Sequence, residues 1–91
     1  MAKDRLESKY ITVAPGVELH FWEKGEGKAL VFVPGLTFSG EIFKAQIEYF
    51  SAAYRVIAID PRGQGYSAKT VDGNDYLTHG RDLAALIDAL D

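Results

Sequence analysis

The chain has 91 residues, of which 47% are hydrophobic and 25% charged, proportions typical of a folded globular sequence. This length allows one domain or a piece of one. The absence of cysteine excludes a disulfide framework, a thiolate metal site and a cysteine nucleophile. The formal net charge of -3, carried by dispersed residues, gives no basis for binding nucleic acid or an anionic membrane.

The start of the chain carries no recognisable targeting signal. Residues 1–8 are polar and of mixed charge, without the apolar core of a secretory signal, and we expect a frayed lead-in there. The longest apolar run, Ala29 to Pro34, is far shorter than the ~18–20 residues of a membrane span. A cytoplasmic location is the resulting expectation.

The first structured segment is predicted to be an antiparallel hairpin. Lys9 to Val13 and Glu18 to Glu23 are rich in the β-branched and aromatic residues that favour strands. Between them, Pro15 and Gly16 suit the two central positions of a type II turn, the second of which requires a positive φ.

A strand, helix and second strand are predicted next. The continuous apolar run Ala29 to Val33 is typical of a parallel strand covered on both faces, and Tyr54 to Ile59, which is apolar apart from Arg55, is a second strand of the buried type. A helix over Glu41 to Ser51, with its N-terminus capped by Ser39, joins them and makes a right-handed βαβ unit. Its apolar residues recur at helical spacing at Phe43, Ile47 and Phe50.

An irregular loop from Asp60 to Asp75 then leads to a last helix. Asn74 or Asp75 can cap this helix, and Gly80 weakens its first half, so the well-formed part is predicted to begin near Arg81. The fold class is therefore α/β, with about four strands and two helices. The last helix carries an apolar stripe at Leu83, Leu86, Ile87 and Leu90.

The loop over residues 60–67 has two possible interpretations from its residues alone. Gly63-x-Gly65-x-x-Ala68 is a loose match to a dinucleotide-binding turn, and Lys69-Thr70 completes an imperfect phosphate-binding loop. Both motifs need a glycine turn that opens directly into a helix, and the turn-forming residues 69–74 are a poor helix start.

The alternative is that the same loop has a structural role. The Asp60 carboxylate can accept hydrogen bonds from loop N–H groups, and the Arg62 guanidinium can bind carbonyl groups. Gly63 and Gly65 permit positive φ angles, and Ser67 is interpreted as a turn hydroxyl because no base is evident near it. We favour this structural interpretation.

The order of these elements and motifs resembles the opening of the α/β-hydrolase superfamily. The resemblance rests on a strand–helix–strand–helix order in which Pro34-Gly35-Leu36 follows the first strand and Asp-Pro-Arg-Gly-Gln-Gly-Tyr-Ser, residues 60–67, follows the second. It covers residues 9–91. It is strongest to the branch of esterases, haloperoxidase-like hydrolases, lactonases and epoxide or haloalkane hydrolases. It implies a serine-type hydrolase of small esters or related carbonyl compounds.

The resemblance also implies roles for the loop after the first parallel strand. The backbone N–H of Leu36 would form half of an oxyanion hole, with Gly35 allowing the chain to turn there. Thr37 and Phe38 would face the substrate pocket. Pro34 stands where the family commonly has a histidine that braces the loop.

The rest of the family's catalytic machinery has no counterpart in the sequence. No Gly-x-Ser-x-Gly nucleophile elbow occurs, and neither His20 nor His79 matches the position of the family's catalytic histidine. We expect His20 on a strand and His79 near a helix start, with surface or partly buried roles. The resemblance implies no metal or cofactor, and the 91-residue chain is predicted to be inactive alone.

A second hypothesis is a non-catalytic module that self-associates or is completed by a partner. In the family, the strand from Ala29 to Val33 lies beside the nucleophile strand, so its edge would be uncovered in this chain. We accordingly expect a homo-oligomer, or assembly with a complementary C-terminal fragment.

Overall fold

The computed structural model describes residues 5–35, 37–70 and 75–90. Its four strands form one sheet in the order β1-β2-β4-β3, in which β3 and β4 are parallel and the other two pairings are antiparallel. This confirms the predicted hairpin followed by a βαβ unit. The elements are β1 (Glu7–Ala14), β2 (Val17–Lys24), β3 (Ala29–Phe32), a 3₁₀ turn (Gly40–Phe43), α1 (Lys44–Phe50), β4 (Arg55–Asp60) and α2 (Tyr76–Leu90).

The hairpin has the predicted turn but longer strands. Gly16 has a φ of 72°, as the second central position of a type II turn requires, and Ala14 pairs with Val17 across the turn. The first strand begins at Glu7, so the end of the predicted lead-in belongs to the sheet because Glu7 pairs with Glu23. Residues 1–4 lie outside the described part of the chain.

The helix between β3 and β4 is shorter than predicted. The segment from Glu41 to Ser51 divides into a 3₁₀ turn and the seven-residue α1. The predicted side-chain cap at Ser39 is wrong, because its hydroxyl makes no capping hydrogen bond. Its backbone carbonyl instead accepts the N–H of Ile42 at 3.2 Å, as the tighter i→i+3 pattern of a 3₁₀ turn requires.

The sheet is covered by a helix on each face. Strand β4 is buried along almost its whole length because its alternating side chains enter both apolar layers. The layer under α2 contains Leu19, Phe21, Ile57, Ile59 and Leu86. The layer under α1 contains Ile47, Val56 and Ala58, with Trp22, Phe32, Phe43 and Phe50 packed against them.

Helix α2 begins five residues before the predicted Arg81. The Asp75 carboxylate accepts the backbone N–H of Thr78 at 2.7 Å, and a cap of this kind contributes about 1 kcal/mol. This is similar to the cost of a glycine inside a helix, so the cap offsets Gly80. Asn74, the other predicted cap, lies outside the described residues.

The predicted apolar stripe of α2 is unevenly buried. Leu86 is fully buried, whereas Ile87 is 40% exposed.

A buried carboxylate lies at the end of the sheet where β4 begins. Glu23 is almost fully buried and pairs with Lys9 at 2.5 Å and with the Arg55 guanidinium. Burial alone would raise the pKa of Glu23, but its hydrogen bonds and attraction to the two cations outweigh burial and hold that pKa below its ordinary value.

This pair of ion bridges predicts a loss of stability in acid. Because the pKa of Glu23 is lower in the folded chain, its contribution is complete above the ordinary value of 4.5 and is lost as pH falls through the folded pKa. The unfolding free energy, measured with urea, should fall between pH 7 and pH 3 in the unchanged chain. It should fall by less in Glu23→Gln, which has no carboxylate to protonate at this position. Glu18→Gln, at an exposed position on β2, is the control. Equal losses in Glu23→Gln and the unchanged chain would contradict the assignment.

Candidate active site

The candidate site is formed by the two loops that follow β3 and β4. These strands are parallel, so their carboxyl ends meet at one edge of the sheet, where ligands bind in open α/β folds. Gln64, from the second loop, donates its side-chain amide to the carbonyl of Gly35 at 3.1 Å and to that of Phe38. The Gln64 side chain therefore holds the two loops together, a role that had no signal in the sequence.

Asp60 connects the second loop to the rest of the sheet. Its carboxylate is fully buried and accepts the backbone N–H of Gly40 at 2.7 Å and that of Tyr66 at 2.9 Å. Oδ2 also lies 2.8 Å from Nδ1 of His20 on β2. Asp60 thus binds its own loop, the start of the 3₁₀ turn and the neighbouring strand. Of these three contacts, only the one within its own loop was predicted from the sequence.

Ser67 is buried and has two hydrogen bonds. Its hydroxyl donates to the backbone carbonyl of Asp60 and accepts the backbone N–H of His20 at 2.8 Å. The next residue, Ala68, donates its N–H to the carbonyl of Glu18 at 2.9 Å. The end of the loop is consequently attached to β2, and the Ser67 hydroxyl has no histidine ring nitrogen as its partner.

Arg62 binds a carboxylate, not the carbonyl groups predicted from the sequence. Its Nε and Nη2 donate to the two oxygens of Asp82, each at 3.0 Å. Asp82 lies on α2 and is 5% exposed, so this paired hydrogen bond joins the loop to the helix in a largely dry environment. The sequence separation of 20 residues gave no local signal for it.

Gly63 and Gly65 both have positive φ angles, of 83° and 53°. At Gly65 a side chain is excluded as well, because a Cβ atom there would lie 2.3 Å from Oδ2 of Asp60. The glycine is therefore required by the close approach of the loop backbone to the buried carboxylate.

The loop after β3 contains a strained residue. Thr37 has a φ of 73°, which is unusual for a β-branched side chain and is typical of functional sites. The N–H of Phe38 donates to the carbonyl of Gly35 at 3.1 Å, and the Phe38 ring is 54% exposed. Thr37 is exposed too. Leu36, the predicted oxyanion donor, lies outside the described residues.

The described part of the second loop, residues 60–70, lacks the geometry of a nucleotide site. Residues 68–70 are not helical, and Lys69 donates to the carbonyls of Gly65 and Ser67 within its own loop.

Among the described residues, no cluster of side chains suited to a metal ion is present. No helix in that part of the chain is long and apolar enough to cross a membrane.

The two histidines occupy the predicted elements, but His20 is more deeply buried than expected. His20 lies on β2 and is fully buried, in place of the surface or partly buried role expected. Its Nε2 lies 2.6 Å from Oγ of Ser8 on β1. His79 lies in the first part of α2 and is partly buried. The Ser8 contact depends on strand register and had no signal in the sequence.

Known proteins resemble this chain in both sequence and fold. A family model described as alpha/beta hydrolase fold matches residues 28–91. A non-heme chloroperoxidase of Burkholderia pyrrocinia is 38% identical over 85 residues, covering 90% of this chain and 31% of the relative. The crystal structure of E-2-(acetamidomethylene)succinate hydrolase superposes with a TM-score of 0.88 and 29% identity, over 94% of this chain and 32% of that one.

These matches define the class of protein: the chain belongs to the α/β-hydrolase-fold family. Its relatives include hydrolases as well as haloperoxidases. One of them is the (E)-2-((N-methylformamido)methylene)succinate hydrolase of Acinetobacter baylyi, 40% identical over 60 residues, covering 66% of this chain and 23% of the relative. The chain spans about 30% of the length of the chloroperoxidases that it matches.

The contact between Gly65 and Asp60 predicts unequal effects of alanine at two glycines. Gly16→Ala should cost about 1–2 kcal/mol, the penalty of a left-handed backbone, because nothing lies within 4 Å of the added Cβ. Gly65→Ala has the same penalty and also displaces a buried carboxylate, so its loss of unfolding free energy should be about 2 kcal/mol larger. Urea denaturation measures both values. Equal losses would show that the carboxylate moves aside freely.

Proposed function

We propose that this chain is the N-terminal segment of a serine-type α/β-fold hydrolase that acts on small esters or related carbonyl compounds. In this proposal the loop after β3 supplies the oxyanion-hole donor, and the nucleophile, acid and histidine are not supplied by these residues. The family membership supports hydrolase chemistry. The sequence contains no Gly-x-Ser-x-Gly, which supports inactivity of the 91 residues alone.

The observation that carries the proposal is the braced and strained loop between Gly35 and Phe38. Gln64 binds the carbonyl on each side of Leu36 and Thr37, and Thr37 has a left-handed backbone. An oxyanion hole needs backbone N–H groups fixed before the reaction, because reorganising them in the transition state would cost free energy. A loop braced in this way suits that requirement.

The proposed step divides the work between the chain and the rest of the enzyme. A serine activated by a histidine attacks the substrate carbonyl, and negative charge develops on the carbonyl oxygen. The Leu36 N–H donates a hydrogen bond to that oxygen. The exposed side chains of Thr37 and Phe38 border the same edge and would contact the substrate, with Phe38 offering an apolar ring to a short acyl or aryl group.

The oxyanion role is tested in a chimera that joins this chain to the remaining part of the Acinetobacter baylyi hydrolase. Leu36→Pro removes the backbone N–H, whereas Leu36→Ala keeps it and serves as the matched control. We expect kcat on p-nitrophenyl acetate, or on that enzyme's own substrate, to fall about 10²–10³-fold in Leu36→Pro only. Circular dichroism confirms folding of each chimera.

The 91-residue chain alone should release no more than one equivalent of p-nitrophenol per chain. Sustained turnover by the chain alone would contradict the predicted inactivity. Similar kcat values for the proline and alanine chimeras would contradict the oxyanion role of Leu36.

The second candidate function is a module completed by self-association, and the position of β3 favours it. This strand is at the end of the described sheet, and beside it lies an apolar hollow of about 250 Å³. Exposed Ile87 on α2 borders the hollow. The residues around the hollow are Ala29, Val31, Arg55, Ile57, Leu86, Ile87 and Leu90.

A cytoplasmic location remains an expectation from the sequence.

Self-association predicts different effects of glutamate at two exposed positions of α2. Ile87→Glu places a charge at the hollow and should shift the chain from dimer or oligomer to monomer. Ala84→Glu changes an exposed position of the same helix that does not line the hollow, and it should leave the mass unchanged. Light scattering at high protein concentration measures this. A monomeric unchanged chain would contradict self-association without affecting the oxyanion proposal.

A further inference from the structure

A serine, a histidine and an aspartate are joined by hydrogen bonds away from the loop that follows β3. Ser8 Oγ lies 2.6 Å from Nε2 of His20, and Nδ1 of the same ring lies 2.8 Å from Oδ2 of Asp60. Strand register brings them together, because Ser8 pairs with Trp22, two residues beyond His20 on β2, and His20 pairs with Asp60 on β4. The nucleophile, base and orienting carboxylate of a hydrolytic triad have this order of contacts.

The contacts of Asp60 are compatible with the tautomer of His20 that this chemistry needs. The carboxylate accepts the N–H groups of Gly40 and Tyr66, and its Oδ2 also lies beside Nδ1 of His20. In the tautomer whose Nδ1 donates to Asp60, Nε2 can accept a hydrogen bond from the Ser8 hydroxyl. We assign this tautomer because it is the ground state required for removal of the Ser8 proton by a general base.

The imidazole is shielded from water, whereas the serine is accessible. His20 is fully buried, and the rings of Tyr10, Trp22 and Tyr66 lie around it with centroid distances of 5.1, 4.8 and 5.2 Å. Ser8 is exposed on β1. A buried base paired with a reachable hydroxyl is the arrangement in which proton transfer to the ring can activate the serine toward a reagent from solution.

An apolar hollow of about 250 Å³ lies on the same face of the sheet. It is lined by Trp22, the cross-strand partner of Ser8, and by Leu6, Glu41, Lys44 and Ile47. The indole N–H of Trp22 is buried and has no hydrogen-bond partner among the described residues. Because this donor is closed to solvent, the surface that the hollow offers to a ligand comes from the apolar parts of Trp22 and Leu6, which suit an aryl group.

We propose that Ser8 is an activated nucleophile, with His20 as its base and Asp60 as the residue that orients the base, and that it accepts the acyl group of small aryl esters. Its Oγ forms a bond to the carbonyl carbon while His20 Nε2 takes the hydroxyl proton. The bond from that carbon to the leaving oxygen then breaks, and the proton passes from Nε2 to the released alcohol or phenol. The product is one acylated Ser8 per chain.

The experiment uses an alkyl fluorophosphonate on the 91-residue chain. The serine oxygen bonds to phosphorus, fluoride leaves, and the hydroxyl proton passes through His20 to solvent. Mass spectrometry of peptides gives a rate of adduct formation at each serine in the same sample. Ser51 is the internal control, because its hydroxyl donates to the carbonyl of Glu48 and no histidine contacts it. A general base contributes about 10²–10⁴-fold, so Ser8 should react at least about 100-fold faster than Ser51.

Two variants and one change of conditions separate activation from simple exposure. Ser8→Ala should lose the adduct, and His20→Asn should bring the rate at Ser8 down to that at Ser51. Because His20 is buried and its replacement can unfold the chain, the unchanged protein is also labelled in urea, where the ratio should fall to about 1.

Equal rates at Ser8 and Ser51 in the native chain would overturn the proposal, as would a ratio that survives unfolding. Neither result bears on Leu36, so the proposal is independent of the proposed hydrolase function. Failure of the Leu36→Pro chimera test would likewise leave the reactivity of Ser8 untouched.

Discussion

The buried carboxylate of Asp60 is the group on which the rest of this structure depends. A charge that is fully removed from water is tolerated only when its lone pairs are satisfied, and each partner of Asp60 comes from a different part of the chain. Through these bonds it connects the start of the 3₁₀ turn, the second loop and the His20 ring on β2. One carboxylate thereby organises both sites described above.

The second loop is held by polar contacts at three places. Arg62 binds it to α2, Ser67 to β2, and Gln64 to the loop after β3. These hydrogen bonds attach the loop to its neighbours, while the ring of Tyr66 in this loop and that of Phe38 in the loop after β3 remain exposed. Both rings lie near the carboxyl ends of the parallel strands, the edge at which ligands bind in open α/β folds.

The distribution of burial explains why the two faces of β2 differ in chemistry. Leu19 and Phe21 alternate with His20 and Trp22, so one face of the strand enters the apolar layer under α2 and the other carries the aromatic enclosure of His20. Glu23 ends the first face with a compensated charge. The same strand therefore contributes to the core, to an acid-sensitive ion pair and to the Ser8 cluster.

The sequence by itself determined the elements whose signal is local. The apolar segments at β3 and β4, the Pro15-Gly16 turn and the helical spacing of α2 each depend on neighbouring residues, and the fold class followed from them. The family followed from the resemblance carried by the two loop motifs, residues 34–36 and 60–67. Tertiary structure decided what depends on distance: the bond of Arg62 to Asp82, the brace at Gln64, and the meeting of Ser8 with His20. Periodicity cannot show such contacts, because strand register and loop closure bring together residues that are far apart in the chain.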